Sequence, residues 1–123
     1  MVMVLLGITL SVFSGASVWA QSDQMKLDHP EAFGKKQRAP VPFPHNRHLE
    51  ANLSCTDCHH RYEQGKNVLD EGDLEEGKTG IRCSECHDLK SRPRLREAFH
   101  DQCIGCHRKK SGPRLCGECH VKK

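Results

Sequence analysis

All eight cysteines of this chain fall in one pattern, Cys-x-x-Cys-His, which occurs four times. The copies are Cys55-Thr56-Asp57-Cys58-His59, Cys83-Ser84-Glu85-Cys86-His87, Cys103-Ile104-Gly105-Cys106-His107 and Cys116-Gly117-Glu118-Cys119-His120. Two thiols three residues apart can reach the two vinyl groups of one porphyrin. The histidine directly after them is placed to bind its iron, and the pattern reads as a c-type haem attachment site. Zinc held by paired Cys-x-x-Cys motifs uses the same cysteines, and so do four disulfides in an exported chain. Neither requires a histidine after every second cysteine. Four covalent haems c are therefore expected, on Cys55 and Cys58, Cys83 and Cys86, Cys103 and Cys106, and Cys116 and Cys119.

The histidine count then bears on the chemistry. Of nine histidines, His59, His87, His107 and His120 close the motifs, and five others remain. Four irons with two axial ligands each need four of those five. Methionine, the usual alternative, is scarce: Met1 and Met3 lie in the first few residues, leaving Met25. His29 stands before Pro30, far from any motif, and is expected to be a solvated surface residue. His45, His48, His60 and His100 are left as the second ligands. Two imidazoles leave a haem potential lower than histidine with methionine does. Low, negative potentials are expected, and no open iron position for a substrate. The ligand supply thus argues for a carrier and against an enzyme.

The elements that must position these groups are sparse. Residues 1–20 are apolar from Val2 to Val18, carry no charged side chain and end Val18-Trp19-Ala20. This reads as a secretory signal peptide cleaved before Gln21, although it lacks an early Lys or Arg. The alternative, a retained membrane anchor, is disfavoured by the shortness of the run and its Gly, Ser and Thr content. Export fits the chemistry, because haem attachment in bacteria occurs outside the cytoplasm. The remaining chain has only Phe33, Phe43, Tyr62 and Phe99 as aromatics, and mean hydropathy is −0.68 even with the apolar leader counted. Domains this small are marginal without metals or covalent staples. Four macrocycles would supply the missing apolar surface, and the haem-free chain is expected to be largely unfolded.

Residues 21–38 are polar and expected to be loosely held, with the haem domain spanning 39–123. Pro40, Pro42 and Pro44 exclude a helix and favour an extended edge. Residues 45–50 suit a short helical turn, residues 62–80 a glycine-containing surface loop, and residues 91–106 a helix with Leu95, Ala98 and Phe99 on one face. The cysteine motifs start at irregular intervals, too uneven for a solenoid of equal units.

Charge is uneven as well. Residues 21–78 hold 8 basic and 11 acidic side chains, whereas residues 79–123 hold 11 and 5. The basic residues include Arg108, Lys109, Lys110, Arg114, Lys122 and Lys123, which flank the last two motifs. They suit an electrostatic docking face for an acidic redox partner. Nucleic acid is not expected as a partner: each haem would add two propionates and one ferric positive charge, which together turn the formal +3 of the chain slightly negative.

The chain resembles the class III cytochromes c, the low-potential tetrahaem carriers of sulfate-reducing bacteria. The resemblance runs from about Pro40 to His120. It rests on Pro42-Phe43-Pro44-His45-Asn46-Arg47-His48, on the double histidine His59-His60, and on Ala98-Phe99-His100-Asp101-Gln102-Cys103-Ile104-Gly105-Cys106-His107. It implies a small haem-cored fold with few short α-helices, a little N-terminal β structure and much irregular chain. It implies the pairs His59 with His45, His87 with His60, His107 with His48 and His120 with His100. Well-known members use a longer Cys-x-x-x-x-Cys-His at the second and fourth haems, where this chain keeps the short form. His100 also lies closer to Cys103 than in those members. The family implies a periplasmic, monomeric electron carrier with coupled proton uptake at propionates. Its partners would be hydrogenase or formate dehydrogenase and a membrane redox complex. Competing functions are a multihaem reductase of metal ions, nitrite or sulfur oxyanions, which needs one open iron, and a membrane-complex subunit held by an uncleaved leader.

Overall fold

The computed structural model describes residues 24–33, 38–75 and 77–122. The apolar leader falls outside them, as does Lys123. Strand β1, Gln24–Leu27, pairs antiparallel with β2, Val41–Pro44, placing Met25 opposite Phe43 and Leu27 opposite Val41. Successive N–H groups of a strand point to opposite edges. Pro42 and Pro44 therefore strip donors from one edge only, and β1 pairs along the other, where Val41 and Phe43 keep theirs. The segment expected to be loose thus contains a strand, because β2 offers it backbone partners. It also contains a four-residue helical turn, α1, at Pro30–Phe33.

Helix α2, His45–Glu50, follows β2 directly, and a 3-10 turn covers Cys55–Asp57. The expected loop at 62–80 includes a small hairpin of β3, Tyr62–Glu63, and β4, Lys66–Asn67. Its two turn residues have positive φ, 50° at Gln64 and 79° at Gly65, the handedness that matches strand twist in a two-residue hairpin. Asn67 secures the hairpin to the first motif. Its Oδ1 accepts the N–H of Arg61 and Leu69, and its Nδ2 donates to the carbonyl of His59.

The second half of the chain is organised by α4, Leu95–Lys110, between the one-turn helices α3, Cys83–Cys86, and α5, Cys116–Cys119. Helix α4 starts and ends four residues later than the sequence suggests. At the front, Asp88 Oδ1 accepts the amides of Lys90 (2.8 Å) and Ser91 (2.7 Å), and the Ser91 hydroxyl donates to the carbonyls of Asp88 and Pro93. These bonds commit residues 88–93 to a turn. At the back, Arg108, Lys109 and Lys110 sit favourably on the negative helix end, and Ser111 closes it in the left-handed region at φ 58°.

Among the described residues, the buried hydrophobic side chains are Leu69, 8% exposed, and Leu95, 2% exposed. Two aliphatic residues cannot hold a domain of this size together. Four of the helical elements instead carry the cysteine motifs themselves.

Candidate haem-binding site

Each motif begins with a helical turn that the sequence caps in its own way. In three of them the residue before the second cysteine is acidic. Asp57 Oδ2 accepts the Ser54 amide at 2.9 Å. Glu85 Oε2 accepts the amides of Arg82 (2.8 Å) and Ile81 (3.1 Å). Glu118 Oε2 accepts those of Leu115 (2.7 Å) and Arg114 (2.8 Å). The amide of Arg82 in the one case and of Leu115 in the other, each the largest influence, holds these two glutamates below the usual carboxylate range. The third motif has Gly105 at that place. It lies inside α4, whose preceding turns already engage the amides, so no cap is required. In the capped motifs the histidine amide closes onto the carbonyl of the first cysteine, at 2.8 Å in each of His59, His87 and His120. Cysteines and imidazole are thereby fixed to one rigid turn.

The imidazoles are then oriented from behind. His59 Nδ1 lies 3.2 Å from the Ile81 carbonyl, His87 Nδ1 2.8 Å from that of Pro93, His107 Nδ1 2.7 Å from that of Pro113 and His120 Nδ1 2.6 Å from that of Ala39. His48 Nδ1 makes the same contact with Pro44 at 3.0 Å. A carbonyl only accepts, so Nδ1 carries the proton and Nε2 keeps its lone pair. This is the tautomer and orientation of a metal-ligating histidine with a backbone partner.

Three of the remaining histidines face motif histidines, and a fourth lies near the other. The ring centres of His48 and His107 are 6.1 Å apart, those of His60 and His87 6.0 Å, and those of His100 and His120 6.5 Å. His45 lies near His59: burial first and the His59 charge second lower its pKa. An imidazole nitrogen binds a metal at about 2.0–2.1 Å and its ring centre lies about 1 Å further back, so two imidazoles across one metal are centred roughly 6 Å apart. The three measured separations each fit a single iron between the rings. The ring planes differ: 27° for His48 with His107, but 77° and 82° for the other two pairs.

The thiols converge on the same region, and all eight are free. Burial, above all, pushes the Cys103 thiol up to about 11, and the next influences are Cys58, Cys83 and Cys119. These are one cysteine from each of the other motifs, so α4 carries the third motif into the middle of the rest. Burial likewise raises Cys58, Cys83 and Cys119. Neutral, reduced thiols are the form that thioether formation requires. Donor set, spacing and orientation therefore fit covalent haem.

Two features escape the motif pattern. The carbonyls behind the imidazoles come from Ile81, Pro93, Pro113 and Ala39, none a side-chain ligand. A trace of this was in the sequence: His-x-x-x-Ser-x-Pro-Arg-Leu occurs at 87–95 and again at 107–115, and in each copy the proline carbonyl takes the Nδ1 proton of the first residue. The second feature is His29. It is not a solvated surface residue but half-buried, its ring stacked on Phe99 with centres 5.6 Å apart and its Nδ1 3.4 Å from Glu31. Phe99 supplies an apolar face that water would otherwise cover, which is why His29 folds inward.

The model of the class III cytochrome c family matches residues 22–120. The chain belongs to the class III cytochrome c family. It is 37% identical over 108 residues to cytochrome c3 of Maridesulfovibrio salexigens, covering 75% of this chain and 88% of that one. Its fold is similar to the high-molecular-weight cytochrome c of Desulfovibrio vulgaris (Miyazaki F), with TM-score 0.54 and 26% identity over 92% of this chain. It is also similar to the sixteen-haem cytochrome of Desulfovibrio gigas, with TM-score 0.55 and 28% identity over 82% of this chain. The chain spans only 22% and 19% of the lengths of those two proteins. This class III cytochrome c has the expected small multihaem fold: short helices, a two-stranded N-terminal sheet and much irregular chain. Its cofactor is covalently bound haem c and its activity is electron transfer. The family match begins at residue 22 and thus takes in β1 and α1 along with the haem motifs. No helix among the described residues is long and apolar enough to cross a membrane.

Proposed function

We propose that the chain is a periplasmic, low-potential carrier with four bis-histidine haems c and no substrate chemistry of its own. The thioether cysteines are Cys55 and Cys58, Cys83 and Cys86, Cys103 and Cys106, and Cys116 and Cys119. The axial pairs are His59 with His45, His87 with His60, His107 with His48 and His120 with His100. The observation that carries this reading is that every motif imidazole has Nδ1 on a carbonyl, while His87, His107 and His120 each have a second imidazole facing them and His45 lies near His59.

Haem iron supplies the one-electron couple; the chain fixes its ligands and surroundings. Nδ1–H bonds to carbonyls raise the basicity of the ligating nitrogen and favour the ferric state, which lowers potential. Consecutive His59 and His60 belong to different pairs, and so do His45 and His48 on α2. Single short stretches of backbone thus hold neighbouring sites close, which suits rapid exchange between them. Arg108, Lys109 and Lys110 on the end of α4, together with Lys122, form the face for an acidic hydrogenase or formate dehydrogenase, with a membrane redox complex as the other partner. The holoprotein acts as a monomer.

Low-temperature EPR of the oxidised, periplasmically matured protein tests the core of this reading. Four low-spin ferric haems per chain are expected. A high-spin signal from one haem would mean an open iron and favour a reductase. Reversal of Lys109 and Lys110 should slow reduction by hydrogenase at low ionic strength; an unchanged second-order rate would remove that face from the account.

A further inference from the structure

We infer a second electron-exchange port at the His60–His87 pair, where Arg92 and Arg94 dock the carboxylates of an acidic redox protein. The inference rests on the four-haem reading. It concerns the opposite end of α4 from the lysines.

The region combines exposed apolar groups with an excess of cations. Tyr62 is 65% exposed and its ring lies 5.0 Å from that of His60. Leu89, two residues beyond His87, is 61% exposed. Around them, residues 82–96 hold five basic side chains (Arg82, Lys90, Arg92, Arg94 and Arg96) against Glu85 and Asp88. Both acids are engaged with backbone amides. Glu97 is engaged by Arg96 at 2.8 Å. Among the described residues, Arg82, Lys90, Arg92 and Arg94 make no close ion pair; Arg82, Lys90 and Arg94 act at longer range on Glu85, Asp88 and Glu97. An exposed aromatic and an aliphatic group rimmed by arginines have the make-up of a protein interface.

The local shape agrees. Arg92, Pro93, Arg94 and Glu97 line an open groove of about 320 Å³. The Pro93 carbonyl in its wall accepts the His87 Nδ1 proton at 2.8 Å, so the groove is one hydrogen bond from an iron ligand. Arg92 donates once, to the Ser91 carbonyl, which leaves most of its donor fork for a carboxylate. The groove also stands apart from the lysines. The sixteen residues of α4 span about 24 Å, against a screening length of about 8 Å at physiological salt. The two cationic faces therefore act as separate electrostatic sites, and electrons can enter at one and leave at the other with both partners bound.

The test uses 15N-labelled holoprotein in its reduced, diamagnetic state, after haem has been counted. A gallium-substituted plant-type ferredoxin, acidic and redox-silent, is titrated in at low ionic strength. Amide shifts are expected in two groups, one within 89–96 and one within 108–122. R92E/R94E should remove the first group, weakening binding there at least tenfold, and leave the second. R92Q/R94Q should give an intermediate loss with an unchanged Soret spectrum. Shifts confined to 108–122 in protein with four haems would overturn the port and spare the four-haem reading. A chain lacking haem on Cys83 and Cys86 would overturn both. A changed midpoint at this haem in R92E/R94E, with ferredoxin shifts intact, would assign the arginines to the haem's own propionates and also overturn the port.

Discussion

Gly112→Ala isolates the contribution of a carbonyl behind one iron ligand. An alanine Cβ at this position would sit 2.5 Å from Cδ2 and 2.6 Å from Cγ of the His107 ring. Ordinary contact begins near 3.4 Å, so the ring must retreat by about 1 Å. The backbone at Gly112 is not in the left-handed region, and the ring contact is the main consequence of the substitution. His107 Nδ1 now lies 2.7 Å from the Pro113 carbonyl; a retreat of about 1 Å takes it beyond hydrogen-bond range. Loss of such a partner typically costs about 10–100-fold in ligand affinity. If that loss falls on the ferric state, each factor of ten is about 59 mV for a one-electron couple. One of the haem midpoints should therefore rise by roughly 60–120 mV. A mediated redox titration followed in the Soret band, fitted with separate components, reads this directly. Gly117→Ala is the matched control, since a Cβ there meets nothing within 4 Å. Unchanged midpoints in G112A, or the same shift in both variants, would refute the reasoning.

Three other outcomes are expected. His100→Ala should leave the His120 site five-coordinate, converting one haem to a high-spin form that binds carbon monoxide, while His29→Ala should leave every haem low-spin; EPR separates the two. Near-parallel imidazole planes donate into the same iron d orbital and near-perpendicular planes into different ones. The His48–His107 site at 27° should thus give a rhombic ferric signal, and the sites at 77° and 82° signals with large maximal g; identical line shapes for all haems would contradict the ring orientations. Leu95→Ala removes the most buried hydrophobic side chain among the described residues, 2% exposed, and should cost about 2–5 kcal/mol in guanidinium unfolding of the holoprotein.

The sites were more legible in the sequence than the scaffold around them. Cysteines three apart with a histidine behind them have their geometry written into the spacing, and three of the four further histidines expected as ligands stand with their rings facing a motif histidine. The strand pairing of β1 was not visible, because its partner β2 is disguised by alternate prolines whose remaining donors all point one way. The start of α4 was misplaced because Asp88 and Ser91 hold the preceding residues in a turn, which helix propensity does not register. His29 was misread because its neighbour Phe99 is distant in sequence. The carbonyls behind the imidazoles belong to main chain, which residue types do not reveal, although the repeated Ser-x-Pro-Arg-Leu carried a hint.

The carbonyls that hold the imidazoles also set an order of assembly. His87 reaches Pro93 and His107 reaches Pro113 across six residues, whereas His120 reaches Ala39 across 81. Closing the longer loop costs about 2 kcal/mol more in chain entropy than closing either short one. With little aliphatic core among the described residues to draw distant segments together, the carbonyl contacts of His87 and His107 can form within their own neighbourhoods. The last motif can lock only once the segment before β2 has been brought back to meet it. The His120–Ala39 bond thus ties the last motif to the segment before β2, and a defect near Ala39 would be felt at His120.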